Sequence, residues 1–162
     1  MRVYLGLGSN VGDRRSHLRR AVEALRVVDG SLAVSPLYET APVGGPKQGL
    51  YLNCVVGLDW QRGPAELLEL AQSLESAAGR VRTVKDGPRT LDVDVLLVDG
   101  VELATEELTV PHPRMFERGF VLAPLEDLDP LLVPSGWRRQ IAGAENLARD
   151  VRRVGTIEDN SI

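Results

Sequence analysis

Leu91-Asp92-Val93-Asp94-Val95-Leu96-Leu97-Val98 is an apolar run carrying aspartate at two alternate positions, closed by the turn dipeptide Asp99-Gly100. Its length and composition predict a strand, and as the last of four predicted strands it decides the fold. Working back from it, Pro64 suits the first turn of a helix. Leu67, Leu68, Ala71, Leu74 and Ala78 then follow at helical spacing, and Gly79 marks the stop. Tyr51 to Leu58 reads as the third strand and Leu32 to Leu37 as the second. The prolines and glycines of Thr40-Ala41-Pro42-Val43-Gly44-Gly45-Pro46, between these two, exclude regular structure. At the start, Val3 to Leu7 is a strand running into the glycine-rich Gly6 to Asp13, and Leu18, Ala21, Val22 and Leu25 lay out a helix. The order is βαββαβ, which fits a split βαβ sandwich of the α+β class. In that arrangement helices pack on one face of an antiparallel sheet and leave the other face for a site.

From Val101 onward the signals are a Pro111-His112-Pro113 turn, a short helical stretch near Met115 to Arg118, and an arginine-rich helical tail near Trp137 to Arg149. No internal repeat or second domain is visible, and 162 residues with 43% hydrophobic content can bury one core, so 1–162 reads as a single domain.

No stretch approaches the roughly 20 apolar residues of a membrane helix. Met1-Arg2-Val3-Tyr4-Leu5 enters a strand pattern rather than a signal segment. These features predict a soluble, cytoplasmic protein. Cys54 sits in the apolar run Leu52 to Val56, where a small buried hydrophobe fits better than a reactive thiol. A net charge of −4, with no exposed aromatic pair on the strands, argues against a nucleic-acid surface. Apart from Lys47 and Lys85 every basic side chain is arginine, which suits bidentate phosphate clamps; a compositional bias explains it equally well.

The chemistry concentrates at Asp92 and Asp94. Alternate strand residues project from one face, roughly 6 to 7 Å apart along the chain, and two carboxylates there repel unless a cation lies between them. A hard divalent ion completed by phosphate oxygens is one solution; two aspartates on a solvated sheet face is the plain alternative. Arg80, Arg82, Lys85 and Arg89 precede the pair, a combination that fits either a polyphosphate site or structural salt bridges. His112, between two prolines, could meet a phosphate or cap a turn. His17 reads as a surface residue. Ser9 and Asn10 read as turn or helix-capping residues, and Gly8 allows a ligand close to the backbone. The Gly6–Gly12 spacing matches neither the dinucleotide fingerprint nor the Walker A loop, which argues against both nucleotide folds.

Several motifs stand in series: Gly8-Ser9-Asn10, Tyr38 to Gly44, Tyr51-Leu52-Asn53, Gly79 to Arg82, Gly87 to Asp94, Val110 to Pro113 and Arg118-Gly119-Phe120. In this order the chain resembles the 6-hydroxymethyl-7,8-dihydropterin pyrophosphokinase family, from the first strand to about Phe120. The resemblance implies a ferredoxin-like fold, ATP and the pterin alcohol as substrates, AMP and the pterin diphosphate as products, and two Mg2+ ions. It implies Asp92 and Asp94 as metal ligands, with Arg82 and Arg89 joining them in catalysis. The pterin would meet Gly8, Thr40, Ala41, Val43, Tyr51, Asn53 and Phe120, with Asn53 on the ring edge and Phe120 on its face. ATP would meet Gln72, Glu75, Arg82, Lys85, Arg89, His112 and Arg118. A monomer is expected, with small molecules as its partners. The chain departs from the family where the Arg82 to Gly87 loop is short and lacks a tryptophan, Asp86 standing near its place, and where Pro113 replaces an aromatic residue. The rival reading is a non-catalytic module of the same topology that binds a nucleotide or ligand for regulation.

Overall fold

The computed structural model describes residues 1–42, 46–79, 87–141 and 151–159. In chain order these form β1 (Arg2–Ser9), α1 (Arg14–Val28), β2 (Ala33–Val34), β3 (Leu37–Thr40), β4 (Tyr51–Asp59), α2 (Pro64–Ala77), β5 (Asp92–Val98), β6 (Leu103–Ala104), β7 (Thr109–Val110), α3 (Gly119–Leu128), α4 (Trp137–Ile141) and β8 (Arg152–Gly155). Short 3-10 turns occupy Met115–Glu117 and Pro130–Leu132. The main sheet runs β5-β1-β4-β3-β8 with β2 also on β4, and all of its pairings are antiparallel. The fold is α+β, as expected.

The second predicted strand is two pieces. Pro36 has no N–H to donate to β4, and Ser35 fills the gap: its N–H donates to the Val55 carbonyl and its hydroxyl accepts from the Val55 N–H, each at 2.9 Å. Pairing then resumes and extends to Thr40, so the loop begins one residue later than the prolines and glycines suggest. The cap of α1 is also a correction. Asp13, not Ser9 or Asn10, accepts the Ser16 N–H at 3.1 Å.

One face of the sheet is closed by α1 and α2, whose Leu18, Val22, Leu25, Leu67 and Ala71 pack with Leu5, Leu7, Cys54, Val56 and Val93. Cys54 is the buried hydrophobe expected, its thiol pushed up to about 12 by burial. The other face is not left free. Helix α3, absent from the sequence expectation, covers much of it through Leu122, which joins Tyr38, Trp137 and Ile141, and through Val121 and Leu125 against Val55 and Leu96. Gly119 and Pro124 disguise this helix as a turn region. An interior proline costs about 3 kcal/mol, but each fully buried leucine returns about 1.5–3 kcal/mol, and Leu122 and Leu125 are both 0% exposed. Of the predicted helical tail, Trp137–Ile141 is helical and 142–149 lies outside the described residues. Strand β8, also unforeseen, then adds to the outer edge of β3. Among the described residues no helix is long and apolar enough to cross a membrane.

Candidate active site

What α3 leaves uncovered is the end of the sheet where β5 begins and β4 starts. Strand pairing sets Asp92 opposite Gly8 and Asp94 opposite Gly6. Val93 points into the core while both aspartates stay half-buried on the α3 side. Glycine stands opposite each carboxylate, and at Gly6 a Cβ would meet the Leu96 side chain at 3.5 Å. A Cβ on Gly8 would come within 2.8 Å of Asn53 Oδ1, so what the missing side chain admits is the Asn53 carboxamide. That amide is itself oriented: Asn53 Nδ2 donates to Thr40 Oγ1 at 2.8 Å, and both residues are buried.

A cavity of about 310 Å3 opens here. Its described lining includes Thr40, Ala41, Tyr51, Asn53 and Phe120 together with Arg89, Asp92, Asp94, His112 and Arg118. Ten of the expected residues are therefore brought together. Val43, Arg82 and Lys85 lie outside the described residues. Gln72 and Glu75 do not line the cavity. Gln72 is exposed on α2, and Glu75 is buried with its Oε1 accepting the Val93 N–H at 3.1 Å, which ties α2 beneath the acidic pair.

The electrostatics are uneven. Burial, then the neighbouring Asp92, push the Asp94 carboxyl up to about 7 against the pull of Arg118, with Glu75 adding to the rise and Arg89 opposing it. Arg89 Nη1 donates to Asp92 Oδ1 at 3.0 Å. Burial alone would lower the guanidinium's pKa, but Asp92, Tyr51 and Asp94 outweigh it and hold it above its ordinary value. His112 is shifted down, by burial first and then by Arg118 and Arg114. Its Nδ1 accepts the Arg114 N–H at 3.1 Å, so the neutral ring carries its proton on Nε2. The segment is anchored by the His112 N–H on the Leu96 carbonyl at 2.8 Å and follows a cis Val110-Pro111 bond. The Arg118 guanidinium lies 5.5 Å from the centre of the Phe120 ring.

Four site residues, Pro42, Gln48, Arg114 and Asn10, escaped the expected set. Pro42, Gln48 and Arg114 join the lining. Asn10 lies beneath it: its Nδ2 donates to Gln48 Oε1 at 2.8 Å and to the Gly49 carbonyl at 3.2 Å, and its Oδ1 accepts the Arg89 N–H at 2.8 Å. An amide in a glycine-rich turn was the available signal for Asn10. Gln48 and Arg114 sit in aperiodic loops that offer none. His17 is half-buried rather than on the surface.

Among the described residues no three His, Cys, Asp or Glu side chains gather as a metal cage. Two half-buried carboxylates beside three cavity-lining arginines, Arg89, Arg114 and Arg118, fit a hard cation that takes its remaining ligands from water and phosphate oxygens.

The family described as 7,8-dihydro-6-hydroxymethylpterin-pyrophosphokinase matches residues 4–130. The chain is 49% identical over 128 residues to the 2-amino-4-hydroxy-6-hydroxymethyldihydropteridine pyrophosphokinase of Bacillus subtilis (strain 168), covering 78% of this chain and 77% of that protein. It is 44% identical over 137 residues to the protein of that name from Methylorubrum extorquens, covering 83% and 87%. It is also 41% identical over 133 residues to the folic acid synthesis protein fol1 of Schizosaccharomyces pombe, covering 81% of this chain but 18% of that one. On this similarity, and with its motif residues gathered around one cavity, the chain belongs to the 7,8-dihydro-6-hydroxymethylpterin-pyrophosphokinase family.

Proposed function

We propose that this protein transfers the terminal diphosphate of ATP to the hydroxymethyl oxygen of 6-hydroxymethyl-7,8-dihydropterin, releasing AMP and the pterin diphosphate for folate biosynthesis. The observation that carries the reading is the single cavity in which an acidic pair, arginines and an amide beside aromatic rings meet. The regulatory-module alternative is not favoured, because the named relatives are pyrophosphokinases.

Asn53, oriented by Thr40, pairs with the donor and acceptor edge of the pterin, while Tyr51 and Phe120 cover its faces and Ala41 closes the slot, with Val43 assigned to the pterin on the strength of the family motif alone. Gly8 supports this slot from below. Arg89 and Arg118 bind the phosphates, and His112 offers them its Nε2 proton. Arg82, Lys85 and Gln72 complete the ATP side on the strength of the family motifs, and Glu75 contributes by holding β5 in place. Asp92 and Asp94 would hold two magnesium ions, which, when bound, offset the phosphate charge and polarise the phosphorus–oxygen bonds. His112 Nδ1 already accepts the Arg114 N–H and its Nε2 carries the proton, so the ring has no free lone pair to act as a general base, and positioning and electrostatic stabilisation dominate. Arg89 is already oriented for this, held at its side chain by Asp92 and at its backbone by Asn10.

The ferredoxin-like assignment is supported by the order β5-β1-β4-β3, the fourth, first, third and second strands of a βαββαβ unit. A single catalytic domain over 1–162, acting as a cytoplasmic monomer, completes the proposal. Its separability is supported by the match to a small part of the much longer S. pombe protein. Mass spectrometry of the pterin after incubation with ATP and magnesium tests the function. The product should carry one diphosphate group; a pterin monophosphate, or binding without product, would contradict it.

A further inference from the structure

Strand β3 reaches the cavity at Thr40, and it is gripped from both faces by the C-terminal strand β8, beyond the family match that ends at residue 130. On the α3 side, the Tyr38 hydroxyl donates to Asp127, and Arg153 pairs with the same carboxylate at 3.0 Å. On the α1 side, the Glu39 carboxylate lies between two guanidiniums, Arg14 Nη2 at 2.9 Å and Arg152 Nη2 at 2.8 Å. Arg14 also donates to the Leu50 carbonyl at 3.0 Å, immediately before Tyr51. The register Glu39↔Leu52 and Thr40↔Tyr51 places these contacts directly behind the residues that face the cavity.

We propose that Glu39, gripped by Arg14 and Arg152, is a positioning residue for the pterin half of the site, setting the end of β3 and the start of β4 from which Thr40, Tyr51 and Asn53 project. The two ion pairs are unequal. The Glu39 side chain is 16% exposed and that of Arg14 31%, whereas that of Arg152 is 74% exposed, so solvent screens the contact from β8 most strongly. Among the described residues the clamp's contacts include none assigned to phosphate, so its effect falls on the pterin. The inference rests on the pterin kinase reading.

The test is steady-state kinetics of full-length Glu39→Gln and Arg152→Ala, with pterin affinity read separately from ligand fluorescence without ATP. For Glu39→Gln, the KM and Kd of the pterin alcohol should rise about fivefold or more, with kcat and the KM for ATP within about twofold of wild type. Arg152→Ala, whose exposed side chain is not needed to fold, should shift the same pterin constants by about twofold. Unchanged pterin affinity in both folded variants, or equal losses for both substrates, would overturn the proposal. If Glu39→Gln fails to fold, Arg152→Ala decides alone by the same criterion. A wild-type protein that does not bind the pterin alcohol would instead overturn the functional reading beneath it.

Discussion

Asp94 carries the sharpest chemistry at the scale of single residues. Its carboxyl is raised to about 7, by burial first and then by Asp92, and it projects from a strand whose packing is done by its neighbours Val93 and Val95. Asp94→Ala should therefore leave the fold intact and lower kcat by roughly 10²–10³-fold, the scale seen when one preorganised electrostatic group is removed. Near-wild-type turnover that still requires magnesium would refute the metal assignment. The same raised pKa makes a second prediction. Between the ordinary carboxylate value of 3.8 and about 7 the folded metal-free protein holds a proton that the unfolded chain has lost. Asp94 thus contributes stability that is complete below 3.8, is lost as pH rises to about 7 and is level above it. Thermal melts from pH 4 to 8 should show this slope reduced in Asp94→Asn. Magnesium binding, which needs the carboxylate, should tighten across the same window.

Among the elements, the strands and the first two helices were legible because their patterns are local: an alternating or continuous apolar run, a first-turn proline, a terminal glycine. Gly79 does take the left-handed conformation that ends a helix, at φ 73°. Helix α3 and strand β8 were not legible, because each is specified by what it packs against. Pro124 contradicts a helix locally, and Arg152–Gly155 carries no apolar alternation to announce a strand on β3. The site divides the same way. Asp92 and Asp94 stood out through the chemistry of their residue types and Asn53 through the family resemblance, whereas Gln48 and Arg114 reach the cavity from loops whose course only the fold determines. Glu75 does not line the cavity; its carboxylate meets a backbone N–H of β5, a contact that no spacing along α2 encodes. Since α3 is held by burial against an unfavourable local sequence, Leu122→Ala, at a position 0% exposed, should destabilise the protein by about 2–5 kcal/mol in chemical denaturation. A loss below about 1 kcal/mol would mean that α3 does not support the sheet in this way.

At the scale of the whole molecule, stability and chemistry lie on different parts of one sheet. The core between β1, β4, β5 and the helices α1 and α2 is apolar, and the described residues form no metal cage. Chelation of divalent ions should accordingly abolish turnover and leave the far-ultraviolet circular dichroism and the cooperativity of unfolding unchanged. Loss of cooperative unfolding on chelation would show that the metal is structural. The central claim, attack by the pterin hydroxyl on the β phosphorus of ATP, is tested most directly with ATP carrying 18O in the oxygen that bridges the α and β phosphorus atoms. The account predicts that AMP is the nucleotide released and that it retains the label, because the bond broken is the one between the β phosphorus and that oxygen. Release of ADP, or appearance of the label in the pterin product, would contradict it.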